Sequence, residues 1–174
     1  MNNYKQRLAQ INTIIFDVDG VLTDGKIIIT TEGEMYRQMD TKDGYALKCA
    51  LDAGLKVVII SGGTNEGIRN RLRALGVFDI YLGAHHKIDA FQDLLDNYDL
   101  DPEKMLYMGD DIPDIPVMEK VGISCCPKDA VPDVLACVDY VSPKKGGEGC
   151  VREIIEQLLR AQGKWGSFKS AKND

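Results

Sequence analysis

The strongest constraint on this chain is a set of short, β-branched apolar runs that recur between helical patterns. Residues 13–18 (TIIFDV), 55–60 (LKVVII), 105–108 (MLYM) and 123–126 (ISCC) are too short for buried helices and read as buried strands. Shorter runs at 80–82 and 140–141 read the same way. Helical spacing fills the gaps: 44–53 stopping at Gly54, 64–75 with Thr64 as N-cap and Gly76 beyond, 87–97, 115–121, 131–136, and an amphipathic helix over 148–162. Strands alternating with helices imply βαβ units, so the expected fold is α/β: a Rossmann-like parallel sheet with helices on both faces. One element breaks the alternation. Residues 26–30 and 34–39 flank Thr31-Glu32-Gly33 and predict a β-hairpin, a small flap over about 25–39 with no large cap domain.

Composition bounds what this fold can serve. The chain has 174 residues, one domain's worth (1–174), and its 44% hydrophobic and 28% charged residues exclude a disordered or fibrous chain. Twenty-one basic against 27 acidic residues give a formal charge of −6, which argues against a nucleic-acid partner. The longest apolar runs are far below the ~20 residues that cross a bilayer, so no membrane partner is expected. Residues 1–10 are polar and no signal-peptide core follows; five cysteines form no CxxC pair, so free thiols in a reducing, cytoplasmic compartment are expected. Two histidines, His85 and His86, are too few for a recurring zinc pattern. The tail, about 163–174, is rich in Lys, Gly and Ser and is expected to be flexible.

The chemistry lies where the strands end. Asp17-Val18-Asp19-Gly20 closes the first strand, Ser61-Gly62-Gly63 follows the second, Lys87 opens a helix, and Gly109-Asp110-Asp111 follows a later strand. In a parallel sheet these groups converge at one edge. Three carboxylates there make a hard oxygen site that suits Mg²⁺. A carboxylate beside such an ion can attack phosphorus, and a second one two residues on can protonate the leaving oxygen and then activate water. Ser61, backbone N–H groups and Lys87 can hold phosphoryl oxygens as charge develops.

With these residues in order, the chain resembles the haloacid dehalogenase superfamily. The resemblance rests on Asp17-Val18-Asp19-Gly20-Val21-Leu22-Thr23-Asp24, Ser61, Lys87 and Gly109-Asp110-Asp111-Ile112-Pro113-Asp114. Asp40-Thr41-Lys42-Asp43-Gly44-Tyr45 and Gly146-Gly147-Glu148-Gly149 narrow it to a capless branch that dephosphorylates an eight-carbon keto-deoxy sugar acid for lipopolysaccharide precursor synthesis. The resemblance implies that Asp17 is nucleophile and Mg²⁺ ligand. Asp19 would be general acid/base and a ligand through its carbonyl, and Asp110 the remaining protein ligand. Asp111 and Asp114 would support that set from behind. Ser61 and Lys87 would hold the phosphoryl group, with Gly62 beside them. Lys42, Asp43, Gly44 and Arg71 match positions that contact the substrate. Many branch members carry an arginine where this chain has Gly63, and a sister activity on a nine-carbon sugar acid tends to carry an acidic residue there. Gly63 lacks that carboxylate, which favours the eight-carbon substrate over the nine-carbon one; a broad range of small phosphates is the other alternative.

Plainer readings stand beside these. Asp-rich loops are usually turns or caps, Asp111 and Asp114 can cap the following helix, and Lys42 and Arg71 can be surface charges. His85 and His86 fit a surface or capping role, Trp165 and Phe168 packing or an interface, and 146–149 a loop and helix start. The same motifs serve phosphomutases, and receiver domains also collect acidic groups at strand ends, but on a middle strand. The short spacings from Asp19 to Ser61 and from Lys87 to Asp110 leave no insertion that could close over the site. Another copy of the chain is therefore expected to supply the cover through the hairpin, and the resemblance implies a homotetramer.

Overall fold

In a computed structural model the chain is described over residues 4–166. The first strand, β1 (Thr13–Phe16), is buried at every position. Ile14 and Phe16 face one hydrophobic layer and Ile15 the other, the period-two alternation of a strand covered on both faces. A hairpin of two short strands follows, β2 (Ile28–Ile29) antiparallel to β3 (Met35–Tyr36). The chain then runs through α2 (Thr41–Asp52), β4 (Lys56–Ile60), α3 (Glu66–Ala74), β5 (Asp79–Tyr81), α4 (Lys87–Asn97), β6 (Met105–Met108), α5 (Ile115–Met118), β7 (Ile123–Cys126), α6 (Pro132–Leu135), β8 (Tyr140–Val141) and α7 (Cys150–Ala161). A short α1 (Tyr4–Leu8), absent from the sequence reading, precedes β1 and buries Leu8.

Six strands form one parallel sheet in the order β5-β4-β1-β6-β7-β8. Residues of α2, α3 and α7 pack on the Ile14/Phe16 side, and those of α4, α5 and α6 on the Ile15 side. β1 lies between β4 and β6, so the chain leaves it in both directions. Strand order reverses there, and ligand crevices open at the carboxyl ends of such strands.

Element boundaries differ from expectation for local reasons. α2 begins three residues early because the Asp40 side chain accepts from Lys42 N at 2.7 Å. α3 is capped by Asn65, which accepts from Gly67 N and Ile68 N, and not by Thr64. The hairpin strands shrink to two residues each because no third strand joins them. Within the expected tail, Lys164 Nζ donates to Ala53 O and Trp165 lies 4.6 Å from the Arg152 guanidinium. Residues 167–174 of that tail, Phe168 included, lie outside the described residues. No helix among the described residues is long and apolar enough to cross a membrane.

Candidate active site

Asp17 follows β1 directly, Ser61 follows β4 directly, and Asp110 comes two residues after β6. Parallel register puts all three on one edge, because Phe16 pairs with both Ile59 and Met108. A cleft of about 400 Å³ opens there, lined by Asp17, Asp19, Ser61, Gly62, Lys87 and Asp110 among others.

The loop after Asp17 has to turn tightly beneath that cleft. Gly20 sits at φ +87°, and a Cβ on it would lie 2.0 Å from Asp110 Oδ2, so only glycine lets the two strand-end loops meet. The Thr23 hydroxyl closes the loop, accepting from Gly25 N at 3.2 Å and donating to Val18 O at 3.3 Å. Gly146 and Gly147 brace it from behind: Gly147 N donates to Val21 O, and a Cβ on Gly146 would meet Gly20 O at 1.9 Å. The glycine pair is thus a packing surface for the aspartate loop as well as the approach to α7.

Asp17 is held at both oxygens. Oδ1 accepts from Val18 N at 2.6 Å, and Oδ2 lies 2.7 Å from Lys87 Nζ. The same ammonium lies 2.7 Å from Asp114 Oδ1, which also accepts from the Tyr107 hydroxyl at 2.5 Å. Asp114 Oδ2 accepts from Asp110 N and Asp111 N. Asp114 is therefore a fully occupied anchor that fixes Lys87 and the Asp110 loop. Asp111 caps the turn after β6 through Ile112 N and forms a capping box with Asp114. Both residues therefore cap this turn, and Asp114 also binds the backbone of the loop that carries Asp110.

Asp17, Asp110 and Asp114 each bring a carboxylate oxygen within 4.8 Å of the others. Burial, then the Asp114 charge, push Asp17 up to about 7 against the pull of Lys87. Burial, then the charges of Asp17 and Asp114, push Asp110 up to about 7. Burial pulls the Lys87 ammonium down, but the two carboxylates outweigh it and the net shift is upward. Crowded hard oxygens at this electrostatic cost fit a divalent cation such as Mg²⁺.

The structure does not gather every expected residue in the cleft. Lys42 is exposed at the start of α2 and lines a separate cavity with Glu148 and Arg152. Asp43 is buried, and its Oδ1 accepts from Arg152 N at 2.6 Å, so it caps α7 from α2. Gly44 lies under α3; a Cβ there would come 3.0 Å from the Arg71 guanidinium. His85 lines the cleft, while His86 precedes α4 without a side-chain cap bond. Arg37, absent from the sequence reading, reaches Asp19 with Nε 2.7 Å from Oδ1. Eighteen residues and a hairpin separate the two, so no local pattern links them.

Strand-end carboxylates beside a hydroxyl and a buried lysine suit phosphoryl transfer, and the comparisons with known proteins narrow the class to hydrolases. The family model described as haloacid dehalogenase-like hydrolase matches residues 73–154. The 3-deoxy-D-manno-octulosonate 8-phosphate phosphatase of Salmonella typhi is 44% identical over 158 residues, covering 91% of this chain and 84% of that protein. A crystal structure of the phosphatase of the same description from Yersinia pestis superposes with a TM-score of 0.93 at 37% identity, covering 97% of this chain and 91% of that one. Another, from Moraxella catarrhalis, was solved in complex with a magnesium ion, a phosphate ion and the KDO molecule; it has a TM-score of 0.92, 30% identity and 96% coverage of each chain. The chain belongs to the haloacid dehalogenase-like hydrolases, in the family of the 3-deoxy-D-manno-octulosonate 8-phosphate phosphatases.

Proposed function

We propose that this chain hydrolyses 3-deoxy-D-manno-octulosonate 8-phosphate to the free sugar acid and inorganic phosphate, with Mg²⁺ as cofactor. The observation that carries the reading is the strand-end cleft: Asp17 pinned by Lys87 and Val18 N, with Asp19, Ser61 and Asp110 around the same space. The 44% identity to a phosphatase of that substrate supports the choice of sugar acid.

In this reading an Asp17 oxygen attacks phosphorus, the bond to the sugar oxygen breaks, and an aspartyl-phosphate forms. Asp19 gives a proton to the departing oxygen, then takes one from water as that water attacks phosphorus and releases Asp17. Ser61 and Lys87 hold the phosphoryl oxygens, with Gly62 beside them. Asp17, the Asp19 carbonyl and Asp110 would hold Mg²⁺, with Asp114 and Asp111 fixing the loop that carries Asp110. The bound cation offsets the crowded negative charge and draws charge from the phosphoryl oxygens.

The same reading makes 1–174 one functional unit with the 25–39 hairpin as its flap. Ile28 and Ile29 are 68% and 70% exposed, and Met35 and Tyr36 are exposed beside them, which supports a second copy docking there in a homotetramer. Five unpaired cysteines support a cytoplasmic setting.

The deciding experiment compares kcat/KM for the eight-carbon and nine-carbon sugar-acid phosphates and a panel of small phosphate monoesters. A clear preference for the eight-carbon ester is expected. Equal turnover across the panel overturns the assignment, and preference for the nine-carbon ester moves it to the sister substrate.

A further inference from the structure

Asp19 stands at the cleft without the enclosure that fixes Asp17. Its side chain is 35% exposed, and besides Arg37 its named partner is the Thr23 hydroxyl at 3.5 Å from Oδ1. Arg37 follows β3 directly and brings its guanidinium onto this carboxylate as a fork: Nε lies 2.7 Å from Oδ1 and Nη2 3.2 Å from Oδ2. The arginine is far less exposed than its partner, at 8%, and Nη1 is buried with no hydrogen-bond partner. Here two arms go to one carboxylate and a third donor is left unmatched, so the fork on Asp19 dominates the placement.

Gly63 adjoins this fork. A Cβ at that position would lie 3.4 Å from Asp19 Oδ2, 3.6 Å from Ser61 Oγ and 3.8 Å from Arg37 Nη2. These are ordinary van der Waals separations, so the fork has room for a Cβ there. The strand that leads into Arg37 is also tied down, because Asn65 Nδ2 donates to Met35 O at 3.1 Å. The two arms of the fork are unequal. Oδ1 takes the short bond, while Oδ2 takes the long one and faces Gly63 and Ser61.

We propose that Arg37 is the positioning residue for the acid/base step: it anchors Asp19 through Oδ1 and leaves Oδ2 turned to the departing oxygen. The proposal rests on the reading of Asp19 as general acid/base. In that step the proton on Oδ2 passes to the sugar oxygen as its bond to phosphorus breaks, and the carboxylate left behind keeps its Nε bond. Arg37 touches no reacting atom and acts only through Asp19.

The leaving group supplies the test. An alkoxide needs the proton from Asp19, whereas p-nitrophenolate leaves without one, and kcat/KM reports the first chemical step alone. The full-length enzyme with Mg²⁺ is assayed on p-nitrophenyl phosphate and on a sugar phosphate that the wild type hydrolyses. Arg37→Ala is expected to lose about 100-fold in kcat/KM on the sugar phosphate, and at least ~10-fold less than that on the aryl ester. Arg37→Lys, which keeps the charge without the fork, is expected to fall between wild type and Arg37→Ala. Asp19→Asn is run beside them. If it shows the leaving-group contrast and Arg37→Ala loses equally on both esters, the Arg37 proposal fails alone. If Asp19→Asn itself loses equally on both, the acid/base reading fails and this proposal with it. An unfolding midpoint for Arg37→Lys matching wild type, with the contrast intact, excludes a merely structural effect.

Discussion

In the strand-end cleft, charged groups are buried and tightly bonded; in the neighbouring hairpin, apolar groups are exposed and the strands barely pair. Asp17, Lys87 and Asp114 are each under a tenth exposed and joined by contacts of 2.7 Å, whereas Ile28 and Ile29 are about two-thirds exposed on two-residue strands. Each arrangement is costly on its own. Buried charge demands partners, and exposed isoleucine demands cover. The difference teaches that the cleft finds its partners within the chain and suits a cation, while the hairpin's apolar side chains find no cover among the described residues. Arg37 joins the two, since it sits at the end of the hairpin and holds a carboxylate of the cleft.

The largest effect is expected at the centre of the cleft. Asp17→Asn removes the attacking carboxylate, and phosphate release from the sugar-acid ester is expected to fall by about 10⁴-fold or more, with the protein still folded. Activity within ~10-fold of wild type would remove Asp17 from the mechanism. Next comes Lys87→Met, which leaves Asp17 and Asp114 facing each other without their cation. Breaking a buried pair of this kind costs about 3–5 kcal/mol, readable by urea denaturation without added metal. An unchanged midpoint would mean that the ammonium does not hold the cleft together.

Much of this contrast was legible before the structure. The alternation of apolar runs with helical patterns specified the sheet, because strands buried on both faces are short and uniformly apolar. β1, β4 and β6 all fall inside the predicted runs. Carboxylates directly after such strands specified the cleft, because register carries strand ends to one edge. Arg37 was not legible, and neither was the capping role of Asp43. Each acts on a partner far along the chain, Arg37 on Asp19 and Asp43 on the N-terminus of α7, and no periodicity encodes a tertiary bond. The hairpin strands were drawn too long because β-branched residues signal extended backbone whether or not a partner strand exists.

At the hairpin the expected effect changes character. Ile28→Glu with Ile29→Glu alters side chains already in water, so the stability of the isolated chain should move by no more than about 0.5 kcal/mol. The molar mass by light scattering should fall from that of an oligomer to that of the chain. An unchanged mass would show that the hairpin is not the docking surface.

The most gradual effect is expected at Asp43, which sits outside both regions and tests whether burial perturbs a carboxylate there. Its Oδ1 caps α7 and its Oδ2 is buried with no hydrogen-bond partner. Burial, first of its causes, pushes Asp43 up to about 7 although the Arg152 backbone bond pulls it down. A carboxyl raised in the folded state binds its proton more tightly there than in the unfolded chain. Its stabilising contribution is therefore full below the unfolded value near 3.8 and is lost as pH rises towards 7. Asp17 and Asp110 shift in the same direction for the same first cause, so saturating Mg²⁺ is needed to keep them ionised and silent. Under that condition the wild type should lose on the order of 1–3 kcal/mol between pH 4 and 7 through Asp43. Asp43→Asn keeps an acceptor for Arg152 N and has no proton to release, so its stability should be flatter across that window. A wild-type slope that persists in Asp43→Asn would show that Asp43 does not carry the pH dependence, and would leave it as a helix cap that stays charged where it is buried.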